Sequence, residues 1–141
     1  MEIRALYTPG HCEDPLAFLV NGTQVFTADV LFKGTVGGTS GPTGNYESLQ
    51  HSVLDVLLAL VPETSVHPGH REPTTIAAER QANPFVRAWL DDEWPDEEEV
   101  QVSGEPATLR LWAPDYDGGH KALVRFPDGR ETIVGGSRVE R

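Results

Sequence analysis

The sequence predicts an α/β chain followed by a smaller all-β unit, on three observations. A hairpin signal is followed by a long amphipathic helical pattern and a strand-turn, and an acidic stretch then gives way to strand-like periodicity. The hairpin signal is Asn21-Gly22, flanked by "LAFLV" and "TQVFTA"; Asn-Gly supplies the positive φ values that a two-residue turn requires, and both flanks are rich in β-formers. Residues 33–45 are rich in Gly and Thr, contain one Pro and show no periodicity, so they read as a loop long enough to be functional. In "NYESLQHSVLDVLLAL" the residues Tyr46, Leu49, Val53, Val56, Leu57 and Leu60 recur at three- and four-residue spacing, with Asn45 as N-cap and Pro62 as the stop. "TSVHPGH" reads as a short strand and tight turn. "TTIAAERQ" begins a second helix, which restarts at "NPF" with Asn83 capping and Pro84 at the first helical position.

The stretch "DDEWPDEEE", Asp91 to Glu99, holds seven acids and marks the boundary: a first unit over 1–90, an acidic linker over 91–99 and a small β appendage over 100–141. In the appendage "ATLRLWAP", "HKALVRF" and "RETIVGG" are strand candidates, the last two joined by a Pro-Asp-Gly turn. His120, among glycines, reads as a surface loop histidine.

Composition narrows the function. Apolar residues make up 38% of the 141, no run approaches the roughly 20 residues that span a bilayer, and no signal peptide opens the chain, so neither disorder nor a membrane is indicated and the cytoplasm is the expected compartment. A net charge of −11 with scattered Lys and Arg leaves nucleic-acid binding without electrostatic support. The single cysteine, Cys12, excludes an intrachain disulfide and any multi-cysteine zinc motif, and reads as a buried inert thiol rather than an extra metal ligand.

Three groups remain for chemistry. His11, Asp29 and His70 each follow a strand-like or turn segment and a small residue, so they can converge on one rim of a sheet; imidazole and carboxylate are ligands of zinc and of non-haem iron. Taken singly each has a plain alternative. A Gly-His after a turn is commonly structural, Asp29 can cap a turn, and His67-x-x-His70, broken by Pro68-Gly69, lacks the helical spacing of a two-histidine site.

The segments "TPGHCEDPLAFLV", "VFTADVLFKGTVGGT" and "VHPGHREPTTIAAERQANPF", in this order, resemble the second half of a metallo-β-lactamase-fold hydrolase of the glyoxalase II-like (hydroxyacylglutathione hydrolase-like) group, over Arg4 to about Leu90. The resemblance implies that His11 binds a first metal, His70 a second, and Asp29 bridges both and positions the bridging oxygen in catalysis. It also implies a four-layer αββα sandwich of two similar halves, of which this chain carries the second. Ala28 stands where the family has glycine. The family's upstream H-x-H-x-D-H loop has no counterpart, since no H-x-H occurs in the sequence.

The expectations are therefore a fragment of a metal-dependent hydrolase of thioesters, lactones or similar small acyl substrates, or else an inactive half-domain that works through association. The complete site would hold two Zn2+ ions, with iron or manganese as alternatives, bound weakly or not at all by this chain alone. With one sheet face uncovered, the chain is expected to associate with itself or with the missing N-terminal half.

Overall fold

Asn21 and Gly22 both adopt positive φ, 54° and 67°, and the Thr23 amide donates to the Val20 carbonyl at 3.1 Å, closing the turn that joins β2 (Leu16–Val20) to β3 (Gln24–Ala28). The computed structural model describes residues 1–13 and 15–141 of the chain. β1 (Ile3–Tyr7) pairs antiparallel with β2, and β6 (Ser65–Pro68) pairs parallel with β3. With β7 (Thr74–Thr75) they make a five-stranded sheet in the order β1-β2-β3-β6-β7.

The expected loop over 33–45 is only partly a loop. β4 (Leu31–Phe32) and β5 (Thr35–Val36) form a minimal hairpin across Lys33 and Gly34, whose φ of 85° suits glycine. Both strands are buried, so the segment is held by packing that no periodicity of its own announces.

Three helices back this unit. α1 (Tyr46–His51) is capped by Asn45, whose side chain accepts from the Ser48 amide, and continues as a π-helical stretch over Ser52–Leu57. α2 (Ile76–Ala82) is capped by Thr75 and α3 (Pro84–Asp91) by Asn83, with Pro84 at the first position as the sequence predicts. Asn83 also ties the helices to the small hairpin, since its amide donates to the Thr35 carbonyl and to Glu79. No helix among the described residues is long and apolar enough to cross a membrane.

The C-terminal strands are β8 (Glu98–Val102), β9 (Glu105–Pro114), β10 (His120–Arg125), β11 (Glu131–Gly135) and β12 (Val139–Glu140), in the sheet order β11-β10-β9-β8-β12. His120 opens β10 and stacks on Trp112, 4.9 Å between centroids, so it is an exposed strand residue and not a loop residue. In the acidic stretch Asp91 ends α3 and Glu98 and Glu99 begin β8. Asp96 accepts from the Trp112 amide and Glu97 pairs with Arg110, so these acids brace the second sheet.

Strand alternation turns neighbouring side chains of β10 to different cores, and the register shift between Leu123 and Val124 does the same for Leu109 and Leu111 of β9. Ala122 and Val124 join a cluster confined to the second sheet, whereas Leu123, with Leu111, Ala113 and Ile133, enters the cluster built by the first sheet and the helices. The β unit thus shares a core with the first one, and it is this contact that brings its β9–β10 loop to the sheet rim.

Alternation splits the first sheet into two unlike faces. Ala17, Leu19, Val25 and Val66 point into the shared core. The other face carries Ile3, Tyr7, Leu16, Phe18 and Phe26; Phe18 stands between Ala5 and Phe26 in the register and remains 42% exposed, Phe26 45%. An apolar sheet face open to solvent is what the half-sandwich reading anticipates.

Candidate metal centre

His11 is placed by a loop docked on α1. The Gly10 carbonyl accepts from the Asn45 amide at 2.8 Å, and the Pro9 carbonyl accepts from the Ser52 hydroxyl at 2.7 Å. Gly10 sits at φ 136° so close to the helix that a Cβ there would lie 2.3 Å from Leu49 Cα. The Thr-Pro-Gly before the histidine is therefore the joint that lets the chain cross a helix backbone and present His11. The imidazole Nδ1 donates to the Gly38 carbonyl at 2.8 Å, because a carbonyl can only accept, and Nε2 becomes the lone-pair nitrogen of the neutral ring.

Asp29 follows β3 at a sharp turn. Ala28 takes φ 48°, a conformation that favours glycine, and the turn is closed by the Val30 amide on the Thr27 carbonyl and by the Thr27 hydroxyl on the Leu31 carbonyl. Two glycines admit their neighbours to this point. A Cβ on Gly37 would lie 2.0 Å from the Asp29 carbonyl oxygen, and one on Gly69 would lie 2.8 Å from Asp29 Oδ1. The Gly69 amide donates to the Ala28 carbonyl at 2.8 Å, which fixes the His70 turn against the end of β3.

The three predicted residues come together on one rim. His11 Nε2 is 4.0 Å from Asp29 Oδ2, and His70 Nε2 is 3.4 Å from Asp29 Oδ1, so each carboxylate oxygen faces one imidazole. All three side chains are about half exposed. Among the described residues no three His, Cys, Asp or Glu side chains are placed to hold one ion, so the arrangement is two pairs sharing Asp29 and not a closed cage. The donor chemistry nonetheless fits a divalent metal pair in part: two imidazole nitrogens and one carboxylate able to serve both sides.

The other candidates lie elsewhere. His51 is on the helix surface, bonded to Asp55 at 2.8 Å, and His67 stacks on Phe26 and bonds to Gln24. Cys12 is exposed, contrary to the buried thiol expected from its small apolar character; it sits in the turn beyond Gly10, which faces away from the core.

Two residues that sequence reasoning missed complete the rim, both from the β unit. Tyr116 lies parallel to the His70 ring, 4.4 Å between centroids and 3° between planes, and Lys121 donates to the Val36 carbonyl at 2.7 Å. A cavity of about 80 Å³ lies between His11, Asp29, Phe32 and Tyr116. Burial, followed by the carboxylates of Asp115, Asp117 and Asp29, pushes the Tyr116 phenol above its ordinary pKa. No linear signal couples Tyr116 to His70, because 45 residues and a change of sheet separate them.

The paired histidines, shared aspartate and half-sandwich describe a segment of the metallo-β-lactamase fold, and solved structures of that fold match the chain over about three fifths of its length. Among its homologues, proteins named hydroxyacylglutathione hydrolase and metallo-hydrolase stand out. A hydroxyacylglutathione hydrolase of Haemophilus influenzae is 39% identical over 84 residues, which are 59% of this chain and 40% of that protein. A B3 metallo-β-lactamase, BLEG-1, superposes with a TM-score of 0.58 at 32% identity, covering 60% of this chain and 41% of the other. TTHA1623, solved in a di-iron-bound form, superposes with a TM-score of 0.57 at 44% identity, covering 59% and 42%. No protein-family model matches the chain. The chain spans about two fifths of the length of the curated relatives it matches.

Proposed function

We propose that this chain contributes one half of a metal-dependent hydrolase of thioesters, lactones or similar small acyl substrates, with His11, Asp29 and His70 as its metal ligands. The observation that carries the reading is the split of Asp29, one oxygen toward each imidazole. His11 would donate through Nε2 to one metal and His70 through Nε2 to the other, while Asp29, whose carboxylate lies between them, would serve both and offset their charge. When bound, two such metals supply Lewis-acid polarisation of an acyl carbonyl and activation of water at neutral pH. Zinc suits this imidazole and carboxylate set, and iron suits it equally, as in the di-iron-bound neighbour. Three donors leave each metal short of a tetrahedral set, so further ligands must come from a complementary half bearing an H-x-H-x-D-H loop.

The open apolar face of β1, β2 and β3 supports association, either with that half or with another copy of this chain. The same face favours a second reading, an inactive half-domain acting through association alone. The cytoplasm is the compartment we assign, since a free exposed Cys12 suits a reducing setting.

The test is metal content and thioesterase activity after the chain is fused to, or mixed with, an N-terminal half carrying the loop. Asp29→Asn is expected to be the most damaging exchange, lowering activity by more than the roughly 10- to 100-fold typical of an outer partner of a metal ligand. His11→Ala and His70→Ala should each remove one metal preferentially, and His51→Ala, His67→Ala and His120→Ala should leave both quantities near wild type. If His67→Ala or His120→Ala costs as much as Asp29→Asn, the site is misassigned. If none of the six matters, the hydrolase reading gives way to the association reading.

A further inference from the structure

His11 and His70 are held by different means. His11 is oriented by the bond from Nδ1 to the Gly38 carbonyl, the usual outer partner of a ligating imidazole. His70 makes no hydrogen bond among the described residues; its polar neighbour is Asp29, which it would share with a metal. What fixes its ring is aromatic. Tyr116 lies flat against it at 4.4 Å and 3°, and Phe32 flanks both rings, 5.9 Å from His70 and 5.2 Å from Tyr116.

The loop that carries Tyr116 is built to stay in place. Asp115 Oδ1 accepts from the Tyr116 amide at 2.8 Å and pairs with Lys121 Nζ at 3.1 Å, and Nζ also donates to the Val36 carbonyl. Asp115 is 8% and Lys121 6% exposed. An ion pair taken out of water is costly unless its geometry is satisfied, and here Lys121 of β10 joins Asp115 of the β9–β10 loop to the Val36 carbonyl of β5, the strand that leads to Gly38 and so to His11. The Asp115 amide on the Gly119 carbonyl closes the loop at 2.9 Å.

We infer that the C-terminal β unit is part of the metal centre, with Tyr116 as the positioning residue for His70. The inference rests on the reading of His70 as a ligand. Stacking replaces the missing hydrogen bond: it restricts rotation of the imidazole about its last side-chain torsion while leaving both nitrogens free, Nε2 toward Asp29.

The experiment uses the whole 141-residue chain and five forms of it: wild type, Tyr116→Phe, Tyr116→Leu, Tyr116→Ala and, as the ligand control, His70→Ala. Zinc affinity is read by competition with a chromophoric chelator, and the His70 ring by carbon–proton correlation NMR of its Cε1–H and Cδ2–H. Leu keeps bulk without a ring, so it carries the comparison if Ala unfolds the loop. The expected result is an affinity near wild type for Phe and about 10-fold weaker for Leu and Ala, within the range for an outer partner. The His70 resonances should keep their upfield ring-current shift in Phe and lose it in Leu and Ala, with added ring mobility. Equal affinities and an unchanged ring across the series overturn the inference, as does a loss in Phe equal to that in Ala, which would assign the role to the hydroxyl. If wild type binds no zinc, or His70→Ala binds as tightly as wild type, the ligand reading fails separately, and the ring's order in the Leu and Phe variants alone decides whether Tyr116 positions it.

Discussion

Replacing Gly10 by alanine tests whether the loop that delivers His11 is as tightly docked as its geometry requires. The new Cβ would stand 2.3 Å from Leu49 Cα and N and 2.4 Å from its Cβ, where carbon atoms ordinarily rest about 3.5–4 Å apart. Those atoms belong to the backbone of α1 and to a fully buried leucine, so no flexible side chain can yield; the helix or the loop must move by more than about 1 Å. Overpacking of this kind costs about 1–3 kcal/mol. A φ of 136° adds about 1–3 kcal/mol for any residue with a Cβ, and the smaller entropy of unfolded alanine returns about 0.4–1 kcal/mol. The net expectation is a loss of about 3 kcal/mol, a large share of a stability of about 5–15 kcal/mol. With a urea slope of about 2 kcal/mol/M, the unfolding midpoint should fall by about 1.5 M. Gly22→Ala is the internal control: its φ is 67° but nothing lies within 4 Å, so only the dihedral cost of about 1–2 kcal/mol applies. Chemical denaturation followed by tryptophan fluorescence measures both. If Gly10→Ala shifts the midpoint no further than Gly22→Ala, close packing of the Thr-Pro-Gly-His loop on α1 does not govern the placement of His11.

Two further predictions concern the core and the open face. Burial pushes the Tyr46 phenol up to about 12, against the opposing bond that Trp89 Nε1 donates to it, so its stabilisation is complete below pH 10 and is lost as pH rises from 10 to 12, about 2–3 kcal/mol in all. Wild type should therefore lose urea resistance faster than Tyr46→Phe between pH 10 and 11, and parallel slopes would contradict the assignment. The chain should sediment as a dimer or larger at tens of micromolar, and Phe18→Ser with Phe26→Ser, at the two half-exposed rings of the open face, should shift it toward monomer and make its thermal midpoint independent of protein concentration. A wild-type monomer with no dye-accessible apolar surface would refute that expectation.

What the sequence determines here is local. The turn at Asn21-Gly22, the caps Asn45 and Asn83 and the start at Pro84 each depend on a few neighbouring residues whose backbone preferences hold in any context, and each is found where the pattern puts it. The three histidine and aspartate motifs were legible for a related reason. Gly10 and Gly69 mark sites of close backbone approach, and such constraints leave their trace beside the ligand itself. The tertiary structure alone decided features that depend on partners distant in the chain. The β4–β5 hairpin forms inside a segment without periodicity because Asn83, 48 residues after Thr35, and the buried core hold it there. Cys12 is exposed because its loop turns outward past Gly10, a direction that composition cannot express. Tyr116 reaches His70 because Leu111, Ala113, Leu123 and Ile133 enter the core of the first unit and carry the β9–β10 loop with them. Hydrophobic burial is non-directional and carries no address along the chain, so which strand docks on which core, and which loop then meets the rim, is settled only when the two sheets pack.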